Sequence, residues 1–258
     1  MAKVFTTEIT SETIKSDNPI HQRLYKAYLV ATEYVHGNLL EVGCGEGRGI
    51  NLLKPLVQHY TAIDKIKDVI ASLKVQHPES TFIASDIPPF PISENEAFDS
   101  LVSFQVIEHI RDDAYFLREI HRMLKPSGVA LLTTPNRRMS LTRNPWHIRE
   151  YLPDELRSLA AQVFSDVTVK GITGNEKVMR YYEDNKAAVR RITRWDIFNL
   201  QYRLPAWLLR IPYEILNRMN RNRLQKHDNK LVSGIRHEDY FVTDDAENAL
   251  DLLLIVRK

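Results

Sequence analysis

The sequence predicts an α/β fold: a doubly wound, mostly parallel seven-stranded sheet with a helical insertion before the last strand. Three observations carry this. Strand-length apolar runs alternate with helix-length amphipathic ones through the first two thirds of the chain. Directly behind the first such run comes a glycine-rich loop, "GCGEGRG" at 43–49. After an irregular basic stretch the chain closes on "NALDLLLIVRK" at 248–258, a strong strand signal.

The elements follow in order. Ser16-Asp17-Asn18-Pro19 reads as a helix start, a cap residue and then proline in the first turn, and the helix runs over 20–35. Residues 1–36 are thus expected to form an N-terminal helical cap. A core follows at 37–183. "NLLEV" is its first strand, and the glycine loop opens a helix through Ile50, Leu53 and Leu56. "HYTAID" (59–64) and "TFIAS" (81–85) are strands two and three, with a helix at 67–76 between them. A proline-rich loop, "DIPPFPI", leads to the fourth strand at 98–104, an amphipathic helix at 112–125 and a fifth strand ending in "TTP". A helix over "PDELRSLAAQVF" and a sixth strand, "DVTVKGI", complete the regular part. Residues 184–236 break the pattern with basic, aromatic-bearing helical pieces punctuated by Pro205 and Pro212, and 237–258 bring the final strand back to the core.

Composition narrows the class. Of 258 residues, 43% are apolar and 26% charged, ordinary for a globular chain with a real core. The first residues lack the apolar core of a secretory signal, and no apolar stretch approaches the roughly 18 residues that a spanning helix needs. A lone cysteine, Cys44, excludes an internal disulfide or a CxxC knuckle. A cytoplasmic setting is expected. The net charge of +2 hides an asymmetry: between Lys186 and Lys230 there are eleven Lys/Arg against three Asp/Glu.

The glycine loop identifies a ligand class by elimination. A strand–glycine–helix turn lets backbone N–H groups approach a ligand closely. The P-loop requires Gly-Lys-Ser/Thr at its end, and this loop ends Gly47-Arg48-Gly49. The dinucleotide fingerprint requires a third glycine where Arg48 stands. Glu41, two residues before Gly43, would repel a pyrophosphate and suits a ligand carrying an ammonium or sulfonium charge. Cys44 reads as a small loop residue, not a nucleophile.

With Glu41, Asp64, Asp86, "FDSLVSFQVIEHI" and "REIHRMLKPSGVALLTTPN" in this order, the chain resembles the class I S-adenosylmethionine-dependent methyltransferases, in their methyltransferase type 11 branch. The resemblance covers roughly residues 16–173 and the final strand. It implies a Rossmann-like methyltransferase fold and S-adenosyl-L-methionine as cofactor. It also implies a cradle of Gly43, Cys44 and Gly45 for the methionine part, Asp64 on the ribose hydroxyls, Asp86 and Ile87 beside adenine, and Gln105 at the cofactor site.

Two histidines are placed to act as a base toward an acceptor oxygen: His109 after the fourth strand and His147 in "NPWHIREY". "QVIEH" also resembles the "ExxEH" segment of metal-assisted ubiquinone-pathway and small-RNA methyltransferases, which would make Glu108, His109 and His147 ligands. Gln105 stands where those families carry their first carboxylate, so no metal is expected. The implied reaction is O-methylation of a small-molecule, glycan or lipid-linked acceptor. The alternatives are a metal-using RNA 2′-O-methyltransferase and a non-catalytic S-adenosylmethionine-binding protein. The insertion 184–236 is expected to be a mobile lid, its aromatics (Trp195, Phe198, Tyr202, Trp207, Tyr213) facing inward and its arginines outward. An anionic membrane is a partner that this surface suits. Nucleic acid is not expected, because the series Trp207 to Met219 is too apolar for a phosphate-reading surface.

Overall fold

The computed structural model describes residues 14–194, 196 and 199–258. The start of the expected 1–36 cap, and Trp195 and Phe198 of the insertion, lie outside the described residues. Helix α1 (Asn18–Ala31) precedes strand β1 (Asn38–Val42), and the glycine loop leads into the short α2 (Ile50–Leu53). Next come β2 (His59–Asp64), α3 (Lys67–Gln76), β3 (Thr81–Ala84), β4 (Phe98–Phe104) and α4 (Asp113–Met123). β5 (Leu124–Pro135), α5 (Pro153–Ala160) and β6 (Asp166–Gly174) continue the alternation. Four helices follow, α6 (Glu176–Thr193), α7 (Leu200–Arg203), α8 (Ala206–His227) and α9 (Asn229–Gly234), and the chain closes with β7 (Tyr240–Thr243) and β8 (Asp251–Arg257).

These strands form one sheet in the order β3-β2-β1-β4-β5-β8-β6-β7. Strands β1 to β5 run parallel, and β8 enters antiparallel between β5 and β6. The doubly wound architecture is as expected, with eight strands where seven are read from the sequence. The extra one, β7, is a four-residue edge strand antiparallel to β6. The strand order reverses between β1 and β4, so the loops at their carboxyl ends splay apart and leave a crevice.

Burial on both faces explains why the strands read so clearly. In β8, Leu253 and Ile255 pack into the core layer that holds α1, while Leu252, Leu254 and Val256 pack into the layer that holds α4 and α5. β1 divides the same way, Leu39 facing the first layer and Leu40 and Val42 the second.

Helix α1 begins where expected, with Pro19 in its first turn, but Asp17 does not cap it. Its fully buried carboxylate accepts from Arg218 at 2.8 Å and Arg221 at 3.0 Å, both on α8. Two guanidinium partners from a distant helix replace the local bond. The helical segment also starts before the expected boundary: α6 runs from Glu176 straight through residue 184, capped by Asn175, whose side chain accepts from the N–H groups of Lys177 and Val178. Among the described residues, no helix is long and apolar enough to cross a membrane.

Because β8 is inserted between two strands and touches both layers, truncation there should be costly. Leu254→Ala, at a side chain with no exposure, should destabilise the protein by about 2–5 kcal/mol, measured by urea denaturation. A loss under about 1 kcal/mol would show that β8 is not a core strand.

Candidate active site

The crevice between the ends of β1 and β4 is a cavity of about 410 Å³. The glycine loop forms one wall. Gly43, Gly45 and Gly47 all have positive φ, and a Cβ at Gly45 would meet nothing within 4 Å. That opening leaves backbone, not side chain, against whatever enters. Gly49 serves a different need, since a Cβ there would lie 2.0 Å from the ring of Tyr28. Tyr28 thereby reaches the cavity wall from α1, together with Leu24 one turn earlier.

Asp64, at the end of β2, holds the loop in place. Its carboxylate accepts the N–H of Gly45 at 2.8 Å and of Ile66 at 2.9 Å. Each oxygen keeps acceptor capacity beyond these bonds, and the side chain lines the cavity. Asp86 and Ile87 line it after β3, and Gln105 after β4. Gln105 itself has φ 58, and its amide donates to the Thr133 hydroxyl at 3.3 Å. Of the cofactor residues expected from the sequence, Gly43, Cys44, Gly45, Asp64, Asp86, Ile87 and Gln105 are thus brought to one cavity. Burial raises the thiol of Cys44 far above its usual range, which leaves it no nucleophilic role.

Glu41 is the exception. It shares the face of Leu39, not the loop, and lies buried behind the cavity, which it does not line. The alternation of side chains along β1 sends it there. Its carboxylate accepts from the Tyr28 hydroxyl at 2.7 Å and from the Tyr60 hydroxyl, joining α1 to β2. Burial pushes its pKa up to about 7, partly offset by the two tyrosine bonds. The expected direct contact with a cationic ligand is replaced by a structural one.

His109 and His147 approach each other edge to face, with ring centroids 5.0 Å apart. His109 lines the first cavity, and its Nδ1 donates to the Trp146 carbonyl at 2.9 Å, which assigns Nε2 as the basic nitrogen. His147 lines a second cavity of about 220 Å³. Its Nδ1 donates to Glu150 at 2.6 Å, and its Nε2 accepts from the Asn144 amide at 2.8 Å. That amide is oriented by its own oxygen, which accepts the N–H of Trp146 at 3.0 Å. Both nitrogens of His147 are therefore engaged in a positioned network, and of the two histidines His109 is the one that lines the first cavity.

The second cavity draws on residues that are far apart in sequence. Tyr181 and Tyr182 come from α6, Tyr213 and Asn217 from α8, and Asn136 from the end of β5. Of the three tyrosines, Tyr213 alone falls in the insertion whose aromatic content is a sequence signal.

Glu108, His109 and His147 each offer a ligand atom, all within 4.8 Å of one another. Glu108 is buried, one carboxylate oxygen accepting from Thr134 at 3.1 Å and the other without a hydrogen-bond partner. Burial pushes its pKa up to about 7. This donor set fits a divalent cation by chemistry, although it contains a single carboxylate.

Comparison with known proteins bears on the segment that forms most of the first cavity. The methyltransferase-domain family model of the type 11 branch matches residues 40–132. Residues 40–132 thus match a methyltransferase domain. A Mycobacterium tuberculosis H37Rv protein named "Probable S-adenosylmethionine-dependent methyltransferase" is 35% identical over 158 residues, covering 59% of this chain and 57% of that one. The match therefore spans little more than half of that relative's length. A "Ubiquinone biosynthesis O-methyltransferase" of Bradyrhizobium diazoefficiens is 31% identical over 102 residues, covering 38% of this chain and 40% of its own. The fold agrees with a Thermotoga maritima structure titled as a SAM-dependent methyltransferase. Its TM-score is 0.59 at 15% identity, covering 93% of this chain and 91% of that one. S-adenosyl-L-methionine is the cofactor that this family implies. The cavity fits it, with open backbone at Gly45 and a carboxylate at Asp64 for paired hydroxyls.

Two outcomes follow. Asp64→Ala should weaken S-adenosylhomocysteine binding by about tenfold or more, because charge-assisted hydrogen bonds are worth roughly 1.5–3 kcal/mol. Unchanged affinity by calorimetry would misplace the ribose. Glu41 has a folded pKa near 7, above its ordinary 4.5, so its protonated form is favoured on folding. Its contribution is fully present at acid pH and is lost as pH rises through 7. Glu41→Gln should therefore stabilise the protein relative to wild type at pH 8, by at most roughly 3 kcal/mol. The difference should fade toward pH 4.5. A pH-independent difference in denaturation midpoint would contradict this.

Proposed function

We propose that the protein transfers the methyl group of S-adenosyl-L-methionine to a hydroxyl of a small-molecule, glycan or lipid-linked acceptor held in the second cavity. The observation that carries this reading is the histidine pair. One ring borders the cofactor cavity, the other borders a separate polar cavity, and their centroids are 5.0 Å apart.

When bound, the cofactor supplies a methyl group on a sulfonium, activated for direct in-line displacement. The chain's own residues do the rest. The glycine loop and Asp64 fix the cofactor's position, which is the larger part of the catalysis this reaction needs. The bond from His109 Nδ1–H to the Trp146 carbonyl leaves Nε2 to take the acceptor's proton as the new bond forms. Glu150 and Asn144 hold His147 upright beside it. Tyr181, Tyr182 and Tyr213 offer ring faces, and Asn185 and Asn217 hydrogen-bonding edges, to a polyhydroxylated or phenolic acceptor. The match to a relative named for O-methylation supports oxygen as the atom modified.

A second reading rests on the convergence of Glu108, His109 and His147. A divalent cation there would acidify the acceptor hydroxyl and take over the work of the base.

One experiment separates the two. With labelled cofactor and extracted metabolites and lipids as acceptors, His109→Ala should lower turnover by about 10²–10⁴-fold with S-adenosylhomocysteine affinity nearly unchanged. Activity should persist in chelator. If chelator abolishes it and Mg²⁺ or Mn²⁺ restores it, the metal reading replaces the base. Full activity in the alanine variant would leave positioning alone as the mechanism.

A further inference from the structure

Helix α8 sits on the body with its apolar side outward. Trp207, Ile211, Ile215 and Met219, spaced one turn apart, are 68%, 70%, 54% and 62% exposed, and Leu208 and Leu216 flank them at 43% and 44%. Its inward side is polar. Tyr213, Asn217 and Arg221 line the second cavity, Asn220 donates to Asn185 of α6 at 2.7 Å, and Arg218 and Arg221 bind the buried Asp17. The expected arrangement, aromatics in and arginines out, is thus reversed for Trp207, Arg218 and Arg221. The wall that α8 covers is made of polar groups that need hydrogen-bond partners, so the helix turns its polar side to them.

An amphipathic helix that buries its polar side and bares its apolar one requires an apolar partner. The charge around the row indicates which. Arg203 lies exposed before α8, and Arg223 and Lys226 are exposed at its far end. Arg190 and Arg191 are exposed near the end of α6. The stretch from Lys186 to Lys230 carries eleven Lys/Arg against three Asp/Glu. A second copy of the chain would bring this charge against itself, whereas an anionic lipid surface neutralises it and accepts the apolar row.

We infer that α8 lies in the plane of an anionic membrane, with Trp207, Ile211, Ile215 and Met219 among the acyl chains and the surrounding arginines and lysines at the headgroups. Because Tyr213, Asn217 and Arg221 on the other side of α8 line the second cavity, the placement sets that cavity behind the helix that meets the lipid. The membrane surface itself does not depend on the proposed chemistry.

The test uses the full chain and sedimentation with vesicles. Wild type should sediment with phosphatidylcholine–phosphatidylglycerol vesicles, weakly or not at all with phosphatidylcholine alone, and should be released by high salt. Trp207→Ser/Ile211→Ser/Ile215→Ser should reduce binding by about tenfold or more. Arg203→Gln/Arg223→Gln/Lys226→Gln should reduce binding to the anionic vesicles while keeping the apolar row. Both variants should retain wild-type circular dichroism and S-adenosylhomocysteine affinity, which keeps a failure here separate from a failure of the cofactor assignment. Absence of wild-type sedimentation would overturn the inference. So would a wild-type dimer that the serine variant dissociates while vesicles are ignored, because the occupant would then be a second copy.

Discussion

Asp64 accepts two backbone N–H groups, one from the glycine loop after β1 and one from the turn that opens α3. Those bonds join the carboxyl ends of β1 and β2, next to the β1–β4 boundary where the sheet reverses its winding. The loop can then keep three positive-φ glycines and present backbone to the crevice. Removing the carboxylate would both free the loop and take one charged group from the cavity wall. Behind the same loop, Glu41 links Tyr28 and Tyr60, and Gly49 gives Tyr28 room. The cofactor cavity is therefore held from two sides by carboxylates with different tasks. Asp64 faces the ligand, and Glu41 braces the wall.

The helical segment depends on a comparable device. Asp17, fully buried, gathers Arg218 and Arg221 and so fastens α8 to the start of α1. Arg143 donates to the carbonyls of Gln201 and Leu204, and Arg210 stacks over Trp146 at 4.1 Å. Trp146 in turn supplies the carbonyl that orients His109. A short chain of contacts thus connects the helix that walls the second cavity to the histidine at the border of the first. Displacement of α8 by a bound acceptor or a lipid surface would be felt at His109 through Trp146.

Much of this was legible in the sequence, for physical reasons. Strands covered on both faces read as apolar runs whatever their direction, so β1, β4, β5 and β8 stood out. The glycine loop was legible from its own turn chemistry, whereas Asp64, Asp86, Ile87 and Gln105 were expected only through the resemblance to the methyltransferase family. β7 was missed, since "YFVT" is four residues long and pairs on one side only. Glu41 was expected at the ligand from its place before the glycines, and alternation from Leu39 would have put it on the face that packs against α1. The second cavity was not readable, because Arg23, Asn136, His147, Tyr181, Tyr213 and Tyr240 meet only once the chain has folded. The basic, aromatic content of 184–236 was legible, but its helices were read as pieces punctuated by Pro205 and Pro212, whereas α8 runs through Pro212. Sequence could not show which side of α8 faces the protein, and the polar demands of Asp17 and Asn185 decided that.

The cofactor assignment underlies the proposed chemistry, and isothermal titration of the wild-type chain examines it most directly. S-adenosylhomocysteine should bind with one site in the micromolar range, and NAD should give no heat under the same conditions. Saturable NAD binding with no response to S-adenosylhomocysteine would contradict the assignment and, with it, the reading of the loop at 43–49.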